Sequence, residues 1–286
     1  MTDKILAIDH LMIHVADSEE AGTVFERLGF IATPKSDLPG LSNRLICFGD
    51  TPHERGVCNY IELMALENPA ISPPPMPQLL REYGPVSTVL SVDDAHAVHA
   101  RLIAEGIKIG PVFDLQRDWT LPDGSVVTPA FTVAIPELGQ APVYWNYCLH
   151  KTAQHYIRQE FIEHPNSALS FDEVYVVVDD PEAAAAHYVE HWQAQREGDR
   201  LLLPDGPALR LLSKDEIGAV LPAELIESES SGIKAMRVLV ADLDMAKAVI
   251  AKAGVTTVPV ASGFAVKASD AAGCALLFEE RHEPDR

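Results

Sequence analysis

The chain has 286 residues, enough for two domains of ordinary size, and its 47% hydrophobic and 22% charged composition is that of a folded globular protein. Forty-two acidic side chains against 22 basic ones leave a formal charge of −20. Such a surface repels nucleic acid and anionic membranes, which removes both as partners. The N-terminus shows no basic flank leading into a long apolar run, and no stretch reaches the ~20 apolar residues that span a bilayer. Cys47, Cys58, Cys148 and Cys274 are scattered without a CxxC spacing, so they read as buried small hydrophobes in a reducing compartment. A cytoplasmic protein is expected.

The first predicted strand, "AIDHLMIHVAD", carries His10 and His14 in an apolar run. Strand residues alternate faces, so Leu11, Ile13 and Val15 point one way and His10, Met12 and His14 the other. Asp17 then caps a helix with an apolar stripe of Ala21, Val24, Phe25 and Leu28, and Gly29 ends it. Short strands are predicted in "FIATP", "NRLICFG" and "CNYIELMAL", and a Pro-rich segment, 69–77, follows. The same outline returns three times. "STVLSVDDAHAVHARLIAEGI", "EVYVVVDDPEAAAAHYVEHWQ" and "AMRVLVADLDMAKAVIAKAGV" are each an apolar run, a capping aspartate (Asp94, Asp180, Asp242) and about three helical turns. Strands follow each helix, including "KIGPVFDLQRDW" and "SVVTPAFTVAI" around a Pro-Asp-Gly turn at 122–124, and "PVYWNYCL".

Four strand–helix–strands units predict an α+β fold of four βαβββ modules paired into two domains, each a curved mixed sheet around a cavity with helices outside. The divisions are 1–150, which carries the ligand cavity, and 151–286, a degenerate partner with two shorter modules. The face bearing His10, Met12 and His14 is expected to line the cavity. In the "YIEL" strand, Tyr60, Glu62 and Met64 face it as well, while Ile61 and Leu63 face the core. A carboxylate in an otherwise apolar strand is informative, because buried carboxylates are rare without a partner. Glu62 reads as a ligand or general base, or as a structural partner of His10.

The stretches "IDHLMIHVAD", "PGLSNRLICFGD", "YIELMAL", "RDWTLPDG" and "PVYWNY" resemble, in order and spacing, the vicinal oxygen chelate superfamily, and more narrowly its glyoxalase-like domain family. The resemblance covers roughly residues 5 to 147. It implies a divalent metal held by a histidine at the position of His10 and a glutamate at that of Glu62. Imidazole and carboxylate suit first-row divalent ions, here Zn, Ni, Mn or Fe, or else Mg. Counting back from Asp94 puts Ser87 where fully liganded members have histidine, and Asn146 matches the last ligand position, with His150 able to substitute only if the strand bends inward. In the C-terminal half the same counting gives Glu173 and Ala235, with Arg210 and Leu276 near the other two positions. Extradiol dioxygenase activity, which needs two histidines and a carboxylate there, is disfavoured, and Glu173 is expected to pair with Arg210.

The remaining candidates are substrate-binding. Asn43, matching a family asparagine, is a ligand to a substrate oxygen or a turn residue. Arg117 is a carboxylate clamp at the cavity mouth or a solvated hairpin arginine. His14, Tyr60, Ser87, Tyr144, Asn146 and His150 are expected to line the pocket, while Arg44 points away and is expected to be exposed. His155 and His164 lie in a His-rich connector that matches no zinc motif. The leading function is a small-molecule enzyme with lyase- or isomerase-like chemistry on adjacent oxygens, using one divalent ion. The alternative is a metal-free protein that sequesters a drug-like or aromatic molecule. The expected partner is a small molecule, and a homodimer is compatible with the reading.

Overall fold

The structure is a computed structural model and describes residues 3–226, 228 and 230–282. The first module is β1 (Ile5–Val15), α1 (Ser18–Arg27), β2 (Ser36–Leu38), β3 (Leu41–Cys47) and β4 (Tyr60–Leu66); the short α2 (Met76–Leu79) follows in the Pro-rich link. The second is β5 (Gly84–Val92), α3 (Ala95–Ala104), β6 (Phe113–Gln116), the hairpin β7 (Trp119–Thr120) and β8 (Val126–Val127), then β9 (Ala130–Ala134) and β10 (Trp145–His150). A connector with α4 (Gln159–Ile162) leads to β11 (Ala168–Val177), α5 (Pro181–Trp192), β12 (Gln195–Glu197), β13 (Arg200–Leu202), β14 (Ala208–Leu212) and α6 (Lys214–Val220). The last module is β15 (Gly232–Val240), α7 (Leu243–Lys252), β16 (Thr257–Val260), β17 (Gly263–Val266) and β18 (Ala275–Glu280).

Each pair of modules forms one eight-stranded mixed sheet with its helices outside. The orders are β2-β3-β4-β1-β5-β10-β9-β6 and β12-β13-β14-β11-β15-β18-β17-β16, so the modules of each pair join through the antiparallel contacts β1–β5 and β11–β15. All four helices that follow a module's first strand start as expected. Asp17, Asp94, Asp180 and Asp242 each accept backbone N–H bonds in their helix's first turn. Gly29, Gly106 and Gly254 sit just past three of the helices at φ of 84°, 90° and 75°, where a side chain is strained.

Residues 30–34 are not a strand. Pro34 has no N–H to extend a ladder, and Thr33 instead bonds Leu45 by both its N–H and its hydroxyl. Arg44, expected to be exposed, is mostly covered: its guanidinium donates to the Ala32 and Thr33 carbonyls and pairs with Glu26 of α1.

The apolar core lies between each sheet and its helices and runs across both halves. Leu11 and Ile13 of β1, Phe25 of α1 and Leu28 just after it, Tyr188 and Trp192 of α5, and Phe278 of β18 belong to one continuous buried cluster. Tyr188 bonds Val143 through its hydroxyl, and Asn59 pairs through its amide with both backbone groups of Phe171. His164 and Asn166, in the connector, bond the backbone of Ile31, Cys47 and Leu28, which is a structural role. Among the described residues no helix is long and apolar enough to cross a membrane.

Candidate active site

The site begins with a departure from alternation. β1 pairs Ile8 with Leu90 and His10 with Val89, so Asp9 is an extra residue in the ladder, a β-bulge. Ile8 and Leu11 both stay in the core, three residues apart, and Asp9 turns with His10 to the other side of the strand. Asp9 has no solvent exposure, and its carboxylate is fully engaged. Oδ1 accepts from His10 Nδ1 at 2.7 Å and His150 Nε2 at 3.1 Å, while Oδ2 accepts from the Cys58 N–H at 2.8 Å and from the Ser91 hydroxyl. Burial alone would raise its pKa, but the His150 and His10 rings outweigh that and hold it far below the ordinary carboxylate range.

With Nδ1 committed to Asp9, His10 presents Nε2 to Glu62, 3.6 Å from Oε2. The parallel register of β1 and β4 places Met12 beside Glu62 and His10 beside Tyr60, whose ring stacks on His10 at 4.1 Å. Asn43 of β3 donates to Glu62 Oε1 at 2.6 Å. Burial disfavours the His10 imidazolium, yet the Asp9 and Glu62 carboxylates raise its pKa. Glu62 moves the other way: burial is outweighed by His10, Asn43 and the Arg117 charge, and its pKa is lowered. The two shifts favour the charged form of each group, so the pair is set to share a proton, and with that proton gone His10 Nε2 and Glu62 Oε2 are free to hold an ion.

His10 and Glu62 lie in a cavity of about 470 Å³ enclosed by the first sheet, a size typical of small-molecule sites. Tyr60, Arg117, Asn146 and His150 also line it. His150 is the last residue of β10 and does turn inward, with its Nδ1 lacking a hydrogen-bond partner beside the Cys148 thiol. Arg117 stacks over Phe131 at 5.7 Å.

Four expected lining residues lie elsewhere. His14 sits where β1 leaves the cavity, bonds the Glu82 carbonyl and packs on Tyr83. Tyr144 precedes β10 and donates to the Pro136 carbonyl outside the cavity. Ser87 is wholly buried and donates to Asn146 Oδ1, and Asn43 is held against Glu62. Sequence reasoning missed Asp9, since strict alternation sends it to the core side; the three-residue spacing of Ile8 and Leu11 was the available signal. It also missed Tyr156, from the connector, which stacks on Tyr60 at 5.6 Å and lines the cavity.

Two donor sets merit a test against a divalent ion. His10 Nε2 and Glu62 Oε2 converge on the cavity, and a carboxylate behind the other ring nitrogen is the usual support of a metal-bound histidine, so this pair fits. Asp9, Cys58 and His150 also bring ligand atoms within 4.8 Å of one another. They fit poorly, because Asp9 has spent both oxygens on four donors and burial keeps Cys58 a protonated thiol.

The second sheet repeats the bulge, but its concave face is packed with side chains. Phe171 pairs with Val238 and Glu173 with Arg237, leaving Asp172 as the extra residue. Glu173, at the place of His10, meets Arg200 at 2.7 Å and Arg237 at 3.6 Å; Arg210, its expected partner, is turned to Asp199. Ile217 of α6 and Leu221 and Leu225 after it pack on Tyr175, Ala235 and Leu277, filling the concave face.

Paired βαβββ modules around a cavity that joins a first-strand imidazole to a fourth-strand carboxylate define a protein of the vicinal oxygen chelate superfamily. A family model described as glyoxalase-like domain matches residues 8–192. The chain belongs to that family. No curated protein sequence matches it. Among solved structures, a hypothetical protein from Staphylococcus aureus is 13% identical, with 97% of this chain and 100% of that one covered at a TM-score of 0.66. A Mn(II)-bound glyoxalase from Novosphingobium aromaticivorans is 7% identical over 98% and 83% of the two chains, with a TM-score of 0.56. A 4-hydroxymandelate synthase mutant from Streptomyces coelicolor is 14% identical over 90% and 77%, with a TM-score of 0.55. At these identities the likeness shows the fold.

Proposed function

We propose that the chain is a small-molecule enzyme acting on a substrate with adjacent oxygens, with His10 and Glu62 as its working pair and one divalent ion as its cofactor. The observation that carries the reading is the His10 Nε2–Glu62 Oε2 approach of 3.6 Å inside the cavity, with Asp9 fixing the ring from behind. A divalent ion bound there, as the Mn(II) of the Novosphingobium glyoxalase encourages, would be held by His10 and Glu62 and would supply a positive charge to developing oxyanion character on the substrate. Asp9 fixes the His10 tautomer, so that Nε2 is the nitrogen available to the cavity. Asn43 holds one Glu62 oxygen and leaves the other facing His10. Lyase- or isomerase-type proton transfer needs a base beside the substrate carbon, and Glu62, ionised and buried, has that character. Arg117 orients an acidic substituent.

The mostly apolar wall supports a second reading, a metal-free protein that sequesters an aromatic or drug-like molecule. Elemental analysis of protein purified without added metal, repeated on His10→Ala and Glu62→Gln, separates the two. Near-stoichiometric divalent metal in the parent that is lost in both variants supports the enzyme. Ligand binding that is unchanged in metal-stripped parent and in both variants supports sequestration.

A further inference from the structure

The cavity is polar at one end and apolar at the other. Its floor gathers His10, Glu62 and His150, whereas its walls and mouth are mostly hydrocarbon. Three of the six methionines, Met12, Met64 and Met76, line it, giving a wall that adapts to irregular shapes. At the mouth the lining comes into solvent. Phe113 and Leu115 of the edge strand β6 are 48% and 43% exposed, and Ile71 is 62% exposed. Large apolar side chains grouped at a cavity entrance mark contact with an apolar partner.

Arg117 lies toward the floor. Its charge acts on Glu62, Tyr156 and Cys47, and its Nε is buried without a hydrogen-bond partner. No carboxylate among the described residues lies within ion-pair distance of it, although the chain carries 42 acidic side chains. The two carboxylates nearby are already matched, Asp9 by its two histidines and Glu62 by His10 and Asn43. A partly desolvated guanidinium without a counter-charge is unfavourable, and an anionic ligand group restores the balance.

We propose that the substrate is an amphiphilic acid that enters head first, its anionic head on Arg117 beside His10 and Glu62 and its alkyl or aryl body running out between β6 and the 71–76 loop. This rests on the reading of the cavity as the substrate site, and it names the class of molecule. A −20 surface repels small anions, so the apolar body supplies affinity that long-range attraction cannot.

Calorimetric titration of the purified protein with straight-chain monocarboxylates of four to twelve carbons, matched primary alcohols, and oxalate tests this. The expected result is an affinity rising roughly fourfold per added methylene until the chain clears the rim, with each acid at least tenfold tighter than its alcohol. Arg117→Gln is expected to abolish the acid–alcohol difference while keeping the length dependence. Phe113→Ser with Leu115→Ser is expected to flatten the dependence for the longest acids alone. Acids and alcohols binding alike in the parent overturns the proposal. Binding of oxalate, lost in Glu62→Gln, with no gain from chain length overturns it while leaving the cavity as the substrate site. No binding by any of the three sets overturns both.

Discussion

Replacing Asp9 by Asn changes one atom and removes the hub of the site. The carboxylate accepts four hydrogen bonds, two from histidine rings and two from the Cys58 N–H and Ser91 hydroxyl, with no water contact. An amide can accept on one side only. If its oxygen stays with Cys58 and Ser91, the NH₂ faces two rings that were donors. His10 and His150 must then lose their protons at those nitrogens, and His10 is forced to carry its proton on Nε2. Breaking a buried ionic arrangement by removing one partner costs about 3–5 kcal/mol, a large part of the roughly 5–15 kcal/mol that holds a domain folded. With a urea m-value of about 2 kcal/mol/M, that moves the unfolding midpoint down by about 1.5–2.5 M. Urea titration measures the loss, and ¹⁵N shifts of the imidazoles report the tautomer, with His10 changing from the Nδ1–H to the Nε2–H form. If the proposed divalent ion is bound, its content falls in the same variant, since the nitrogen facing Glu62 is blocked. A loss under about 1 kcal/mol together with an unchanged His10 tautomer would refute the hub, because a carboxylate with four buried donors costs more than that to neutralise.

Other outcomes follow from the same structure. His164 is neutral in the fold, its pKa lowered to about 4 by burial. The unfolded state therefore takes up a proton first, and stability falls as pH drops from about 6.5 toward 4, by about 3 kcal/mol for this group; His164→Gln should lessen that slope in urea melts at pH 7 and pH 4.5. Glu173→Ala unpairs Arg200 in the second sheet and should cost about 2 kcal/mol without altering calorimetric binding in the first cavity. Equal loss at both places would mean that the halves share the site. Gly29→Ala, at φ 84° and with the new Cβ 2.6 Å from Val249 Cγ1 and 2.8 Å from Asn166 Cβ, should lower stability by about 2 kcal/mol or more. No change in its thermal midpoint would show that this junction between the halves yields freely.

The repeat was readable because it rests on local chemistry. Four capping aspartates and three terminal glycines are signals within a dozen residues, and they survive in all four modules. His10 and Glu62 were readable for the same reason, since period-two alternation holds in the stretch of β1 from His10 to His14 and throughout β4. Asp9 was hidden because a bulge breaks the period, and its partners arrive from far along the chain: Cys58 from the loop before β4, Ser91 from β5 and His150 from β10. His14 faces the expected side of β1, but the cavity ends before reaching it, and the extent of a cavity is a tertiary fact. The Glu173–Arg210 pairing failed because Arg210 finds Asp199 on the adjoining hairpin, leaving Glu173 to Arg200 and Arg237. The filling of the second concave face by α6 was likewise illegible, since Ile217, Leu221 and Leu225 carry no mark of which surface they will cover.

Phe30, in the first module, packs on Phe278 in the last strand with ring centroids 6.0 Å apart, and Phe48 sits edge-on between Phe30 and Phe171. On the ribosome these aromatics emerge far apart in time. At about 5–20 residues per second, synthesis of the roughly 250 residues separating Phe30 from Phe278 takes on the order of 12–50 s. During that interval the first sheet can form its cavity and His164 and Phe171 can reach Phe30 and Phe48, while Phe30 still lacks its Phe278 neighbour. A premature stop inside β18 would therefore leave Phe30 without its Phe278 neighbour, an apolar face that favours aggregation over a working half-protein.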